Sequence, residues 1–283
     1  MSLIDTYELS NGSKIPVVGF GTWQTPSGAV ANFATKAALA SGYRHIDTAE
    51  MYGNEASIGE ALKECGISRH SVFITSKLNN NAHNYEAAST AIEQSLKDLK
   101  TDYLDLFLIH WPNPKPFRDE NWEKHLQETW KALEDAYQAG KLKAIGVSNF
   151  KPKHFAVLEQ TQRIVPMVNQ IRLCPGDHDE ETIAYCRQHN ILLEAYSPLG
   201  TGKIFSDETM QAIANETGRS IAQVCIRWSL QHGFLPLPKS VHEERIEENT
   251  RVFDFELTPE QMARIDALDG VVGYATDPDT AEF

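Results

Sequence analysis

A carbonyl carbon accepts a hydride readily only when its oxygen is polarised or protonated as negative charge builds on it. Four residues of this chain have the types and the placement for that work: Asp47, Tyr52, Lys77 and His110. Each goes with a short apolar run that reads as a strand. Asp47 closes YRHID with Tyr52 five residues on, Lys77 closes VFITSK, and His110 closes YLDLFLIH. A tyrosine can donate a proton, although its ordinary pKa of about 10 is high for a donor near neutrality. A neighbouring ammonium favours the phenolate and is expected to lower that value, which is the part open to Lys77. A lysine drawn into a pocket needs a counter-ion, and Asp47 can supply one. His110 can donate a hydrogen bond to the carbonyl oxygen and orient it. Taken singly, each residue has a plainer reading: a strand-end carboxylate, a half-buried tyrosine, a solvated lysine, a satisfied histidine.

The elements that must bring these residues together alternate along the chain. Eight apolar runs read as strands: VVGFGTW, YRHIDT, VFITSK, YLDLFLIH, LKAIGVSN, PMVNQI, ILLEAYSP and FLPLPKS. Between them the apolar spacing turns helical. Leu126, Trp130, Leu133 and Tyr137 share one helix face, with Gly140 as a stop, and Ala88, Ile92 and Leu99 repeat the pattern. Thr258 with Gln261 and Ser220 with Gln223 read as capping boxes, and residues 205–232 predict two helices in one connection. Strand–helix alternation implies a parallel sheet, and eight units predict a closed (β/α)8 barrel, an α/β fold of the TIM type. Polar residues at the carboxyl ends of its strands would then face one site. TYELSNGSKIPVV predicts a hairpin turning at Asn11-Gly12 that plugs the bottom of the barrel. Extra helices are expected after strand 7 and at the C-terminus, with an irregular tail after Leu268. No linker or composition break divides residues 1–283, so one domain is expected.

Composition narrows the function classes. A net charge of −13 argues against nucleic acid or an anionic membrane surface as the main partner. No apolar stretch approaches a membrane span, and the N-terminus lacks the pattern of a signal peptide. Cys65, Cys174, Cys186 and Cys225 show neither a C-x-x-C pair nor metal-ligand spacing, so free thiols in a reducing cytoplasm are expected, with no metal. Gly19-Phe20-Gly21 lacks the third glycine of a dinucleotide fingerprint. Gly200-Thr201-Gly202-Lys203 has Ile204 where a phosphate loop needs Ser or Thr.

HIDTAEMYGNE, ITSKL, DYLDLFLIHWP, IGVSNF, VNQ and LPKSVHEERIEEN, in this order across nearly the whole chain, resemble the aldo-keto reductase superfamily. The short connection after LIHWP and the tail ending DPDTAEF resemble bacterial members, most of all the 2,5-diketo-D-gluconate reductase group. The resemblance implies a barrel that binds NADPH in extended form and reduces aldehydes and ketones, with Asp47, Tyr52, Lys77 and His110 as the catalytic tetrad. It implies a small carbonyl substrate and a monomer.

Lys239-Ser240-Val241 and Arg245, after the last strand and at a helix start, suit a phosphate by charge. The resemblance makes this the site of the adenosine 2′-phosphate, with Glu248 and Asn249 on the adenine, favouring NADPH over NADH. Glu243 and Glu244 set two acids beside it, which leaves NADH use open. At the other end, Ser148, Asn149 and Gln170 match residues that hold the nicotinamide carboxamide, together with Asp47. Tyr196 matches the aromatic stacked on the ring. Ser197 and Leu199 match the pyrophosphate loop, with Gly21 and Thr22 near the ring. Trp23 and Trp111 match substrate-pocket walls, joined by Tyr52 and His110. The chain departs from the family at Asn79, where many relatives carry an aromatic, and in NQIRLCP, where Arg172 and Cys174 replace Glu and His. Asn79 predicts a wider, more polar pocket. Two other classes use such a scaffold: a nucleotide-sensing regulatory subunit, and a barrel enzyme acting on phosphorylated sugars without redox chemistry.

Overall fold

The computed structural model describes residues 1–283. Its first hairpin forms where Asn11-Gly12 predicts one: β1 (Thr6–Glu8) pairs antiparallel with β2 (Lys14–Pro16), Thr6 opposite Pro16. Gly12 supplies the left-handed conformation of the turn, φ +83°. The Tyr7 hydroxyl donates to the Phe234 carbonyl at 3.3 Å, and the Asn11 amide donates to the Lys143 carbonyl at 2.9 Å. Both acceptors lie just ahead of barrel strands, so the hairpin covers the strands' amino-terminal end.

Eight parallel strands follow: β3 (Phe20–Gly21), β4 (His45–Asp47), β5 (Phe73–Leu78), β6 (Leu106–Ile109), β7 (Ile145–Ser148), β8 (Val168–Arg172), β9 (Leu192–Tyr196) and β10 (Leu235–Pro236). Each overlaps one of the runs read from the sequence, and each pairs with the next in chain order. The ends meet as well. The Gly19 amide donates to the Pro236 carbonyl at 3.1 Å and the Gly21 amide to the Pro238 carbonyl at 3.0 Å, which closes the barrel. Glycine permits this approach. A Cβ at Gly19 would stand 2.5 Å from His45 Nδ1, and one at Gly21 would stand 3.0 Å from the Leu237 carbonyl oxygen.

The helices between strands are α1 (Ala29–Ala40), α2 (Glu55–Glu64), α3 (Tyr85–Asp98), α4 (Trp122–Gln138), α5 (Pro152–Glu159) and α6 (Glu180–Gln188). In α4 the predicted face is the buried one: Leu126, Trp130 and Leu133 are sealed, with Tyr137 half-buried. The connection from β9 to β10 holds the two expected helices, α7 (Glu208–Thr217) and α8 (Ile221–Gln231), and α9 (Glu243–Glu248) and α10 (Pro259–Asp266) follow the barrel. Ser220 and Gln223 bond reciprocally at the start of α8, as do Thr258 and Gln261 at α10, each satisfying backbone amides that a helix leaves unpaired. No helix is long and apolar enough to cross a membrane. All four cysteines are unpaired.

Gly59 sets how closely α2 and α3 pack. A Cβ there would stand 2.4 Å from the Asp98 carbonyl oxygen and 2.9 Å from the Leu99 backbone. Alanine would gain about 1 kcal/mol in helix propensity. Forcing two backbones apart costs about 1–3 kcal/mol or more. The second effect wins, so Gly59→Ala is expected to lower the urea midpoint. An unchanged or raised midpoint would show that the two helices slide apart freely.

Candidate active site

The carboxyl ends of the strands open on a cavity of about 1080 Å³. The loop carrying Tyr52 is built to reach it. After β4 the chain turns through residues 50–52 and reverses at Gly53, φ +65°. Asn54, fully buried, pins that loop: it accepts from the Thr48 hydroxyl at 2.8 Å and donates to the Thr22 and Thr25 carbonyls at 3.0 and 3.2 Å. Glu55, next to it, takes hydrogen bonds from Ser76 and Ser95, and burial pushes its carboxyl up to about 7.

Lys77 lies beneath Tyr52 with no exposed surface. Its ammonium donates to Asp47 Oδ1 at 2.7 Å, to the Thr48 carbonyl at 2.9 Å and to the Tyr52 hydroxyl at 3.3 Å, so all three of its donors are placed. The His110 ring meets the Tyr52 ring edge-on at 5.7 Å. Burial first, then the Lys77 and His83 charges, hold His110 well below its usual range, so the imidazole is neutral. Its Nδ1 is sealed without a partner, and Nε2 is the nitrogen left open. One expectation is reversed. The Tyr52 phenol is pushed up, because burial outweighs the pull of Lys77, and Asp47 adds to the rise. Lys77 itself is drawn down by burial but raised further by Asp47, Tyr52 and Glu194, and stays charged. The carboxylate 2.7 Å from the ammonium sets its own opposing field on the phenol and so offsets part of the pull of Lys77.

A second cluster stands across the cavity. The Tyr196 hydroxyl donates to Asn149 Oδ1 at 2.8 Å, and the Asn149 amide donates to the His110 carbonyl at 3.0 Å and to Ser148 Oγ at 3.2 Å. Ser148 Oγ donates to the Gln170 carbonyl at 2.7 Å. Six non-glycine residues have positive φ, and four of them, Gln24, Asn149, Ser197 and Thr201, line the cavity. Such backbone is costly and tends to gather where side chains or amides must be aimed at a ligand.

At the far end of the cavity lie Lys239, Ser240, Arg245, Glu248 and Asn249. Lys239 touches only the Gln24 carbonyl, at 3.4 Å, and neither it nor Arg245 has a carboxylate partner. Arg172 and Lys203 line the same cavity. Four cations thus face it against Asp47 and Glu248; with Arg172 paired to Asp177 and Asp47 to Lys77, three cations remain against one acid. In a chain of net charge −13, that reversal of sign makes the cavity a place for an anion.

Most residues expected at the site border the cavity: Asp47, Tyr52 and His110; Gly21, Trp23 and Trp111; Asn149, Gln170, Tyr196, Ser197 and Leu199; and the far-end five. Thr22, Ser148 and Val241 do not, and Lys77 sits behind it. The Thr22 hydroxyl donates instead to the Asp47 carbonyl at 2.9 Å. Asn79 is also off the cavity wall; its backbone N–H donates to Glu50 at 3.3 Å. Cys174 is buried, and burial holds its thiol up to about 11.

Sequence reasoning missed Lys203, the tail residues 272–276 and Phe283, whose ring meets Trp111 at 4.8 Å. The tail is clamped over the site by Lys151 on Asp277 at 3.0 Å, by Lys153 and His154 on Asp279, and by Arg118 on the Ala281 carbonyl at 2.9 Å. Aspartates and an aromatic in an otherwise irregular tail were the available signal.

Comparison with known proteins gives the family and the fold. The model of the Aldo/keto reductase family matches residues 17–270. Glyoxal reductase of Bacillus subtilis is 44% identical over 282 residues, covering 100% of this chain and 99% of that protein. The structure of MGS-M4, an aldo-keto reductase from a Medee basin deep-sea metagenome library, is 39% identical with a TM-score of 0.91, covering 98% of this chain and 100% of that one. A mutant of Gox0644 solved in complex with NADPH is 37% identical with a TM-score of 0.89, covering 98% of each chain.

Proposed function

Since the chain belongs to the aldo/keto reductase family and is an oxidoreductase, we propose that it reduces small or sugar-derived aldehydes and ketones to alcohols with NADPH, as one barrel domain. The observation that carries this reading is the buried chain from Asp47 through Lys77 to the Tyr52 hydroxyl, ending at the cavity beside His110. NADPH, when bound, supplies the hydride. Tyr52 gives its proton to the carbonyl oxygen. Lys77 stabilises the phenolate that this leaves, and Asp47 keeps Lys77 charged and in place. The neutral His110 donates a hydrogen bond from Nε2 to the substrate oxygen. No metal takes part. Trp23 and Trp111 wall the substrate.

The donor set suits the dinucleotide. Lys239 and Arg245, free of carboxylates, would hold the 2′-phosphate with Ser240, with Val241 just behind the wall, and Glu248 and Asn249 would meet the adenine. Ser197 and Leu199 would border the pyrophosphate, and Tyr196 would offer its ring to the nicotinamide. Asn149 and Gln170 would take the carboxamide, with Ser148 behind Asn149 and Asp47 behind Gln170, and Gly21 would lie near the ring with Thr22 behind it. The kinship to a glyoxal reductase points to 2-oxoaldehydes such as methylglyoxal, and the sequence resemblance to 2,5-diketo-D-gluconate.

The test is NADPH consumption with methylglyoxal, a simple aromatic aldehyde and 2,5-diketo-D-gluconate, repeated with NADH. Turnover with NADPH is expected. Tight binding with no turnover of any of the three would instead assign a nucleotide-sensing role. The Lys239→Ala, Arg245→Ala double variant is expected to weaken NADPH binding about 10–100-fold, from lost charge-assisted hydrogen bonds of about 1.5–3 kcal/mol. It should leave NADH binding nearly unchanged. An equal loss for both cofactors would place the phosphate elsewhere.

A further inference from the structure

Below the tetrad the barrel interior holds a second acid that the mechanism above does not use. Glu194 on β9 has no exposed surface. Its Oε2 accepts from Gln170 Nε2 at 2.7 Å, and the same Nε2 donates to Asp47 Oδ2 at 2.8 Å. Two carboxyl groups on one nitrogen decide which way the Gln170 amide lies. The NH₂ edge has a donor for each, whereas the reversed amide would set its oxygen against the Asp47 carboxylate, which has no proton to give. Gln170 Oε1 is thereby turned away from both acids, has no protein partner, and belongs to a residue that lines the cavity.

We propose that Glu194 is a positioning residue: it holds the Gln170 amide so that its oxygen faces the cavity as an acceptor for the nicotinamide carboxamide, and it ties that amide to the Asp47–Lys77–Tyr52 chain. The inference rests on the redox reading above and names a residue that reading does not contain.

The surroundings of Glu194 also set its charge. His45 and Asp47 face it from β4, Thr75 and Lys77 from β5, Gln170 from β8, and apolar Leu235 stands beside it on β10. His45 is no counter-ion. Its Nε2 is 3.9 Å from Glu194 Oε1, it is bonded to Thr75 Oγ1 at 2.8 Å, and burial, then Lys77, hold the ring down at about 3. Glu194 Oε1 is sealed with no partner. The single cation, Lys77, is already paired with Asp47. A second negative charge here would be uncompensated, so Glu194 keeps its proton near neutrality. Burial, and after it the Asp47 charge, push it up to about 8. The sign of the consequence follows. Above that pH, ionised Glu194 sits behind Asp47 and opposes the negative charge that Tyr52 gains on giving up its proton. Reduction should therefore slow as pH rises through this value.

Two variants separate the roles. Glu194→Leu removes the acceptor for Gln170, and Glu194→Gln keeps an acceptor that cannot ionise. Binding of NADPH and of adenosine 2′,5′-bisphosphate, which lacks the nicotinamide, is measured by fluorescence quenching, and kcat is measured against pH. Glu194→Leu is expected to weaken NADPH about tenfold and leave the bisphosphate unchanged. In Glu194→Gln the wild-type descent in kcat near pH 8 is expected to disappear. Wild-type NADPH affinity in Glu194→Leu, or an unaltered pH profile in Glu194→Gln, would overturn the inference. If Glu194→Leu does not fold, the Glu194→Gln profile decides alone. Failure of the wild-type protein to bind either ligand would sink the dinucleotide reading itself, which is a different result.

Discussion

Tyr52→Phe is expected to lower kcat for carbonyl reduction by about 10²–10⁴-fold, the usual worth of a positioned general acid. NADPH affinity should stay close to wild type. The substitution removes one oxygen and keeps the ring that packs edge-on against His110 at 5.7 Å, so the cavity keeps its shape. What is lost is the hydroxyl 3.3 Å from the Lys77 ammonium. The rise in the Tyr52 pKa sharpens the prediction. A phenol held above its ordinary range is fully protonated at working pH, and it yields that proton only as the carbonyl oxygen becomes basic during hydride arrival. The loss should therefore fall on kcat and not on KM. Steady-state rates with NADPH, together with fluorescence titration of the cofactor, measure both. Full turnover in Tyr52→Phe would remove the mechanism, whatever else the cavity binds.

Lys77→Met is expected to abolish turnover to a similar degree and also to cost about 3–5 kcal/mol of stability, the penalty for leaving a buried charge without its partner. Asp47 would keep its hydrogen bond from Gln170 but lose the ammonium on Oδ1, and the Thr48 carbonyl would lose a donor. The pair is nearly inaccessible, at 0% and 5% exposure of the two side chains, so water cannot make good the loss. Adding Asp47→Asn to Lys77→Met removes the orphaned charge and should restore part of the stability while restoring no activity. Urea unfolding of the wild type and the variants measures these differences. If Lys77→Met unfolds at the wild-type midpoint, the ammonium is not paired as the structure has it.

Three of the proposed catalytic positions, Asp47, Lys77 and His110, were readable because each closes an apolar run, and a strand end in a parallel barrel points its polar residue to one face; Tyr52 was readable by its place in the loop that follows Asp47. The capping boxes at Ser220 and Thr258 were readable for a different reason: two side chains three residues apart satisfy each other, and no tertiary contact is needed. The hairpin at Asn11-Gly12 belongs to the same class. The misses are tertiary. Lys203 was set aside because its loop fails as a phosphate loop, yet the fold brings it to the cavity by another route. Residues 272–276 carry no local pattern; Arg172 on the Val272 carbonyl and the clamps on Asp277 and Asp279 hold them over the site. Asn79 looks like a wall by its distance from Lys77 along the chain, but the fold leaves it off the cavity lining. Glu194 is the one charged residue in the apolar run ILLEAYSP, and the run gives no sign that this side chain points into a sealed barrel. The direction of the Tyr52 shift failed for the same reason: spacing shows which charges are near, and only the folded chain shows how much water is gone.

The barrel is joined at Gly19 and Gly21 by two backbone hydrogen bonds to the segment around β10. These groups come from opposite ends of the chain, so a growing polypeptide carries an open sheet until the last strand has been made. During that interval β3 and β9 both present unpaired edges, the condition under which strands recruit a neighbouring molecule. Contacts of such long sequence separation are also slow to form, because loop closure comes before any reward. A chain that stops short of β10 should therefore aggregate rather than persist as a smaller soluble barrel. Because Gly21 borders the cavity and Lys239 follows the seam, closing the barrel also completes the wall of the cavity.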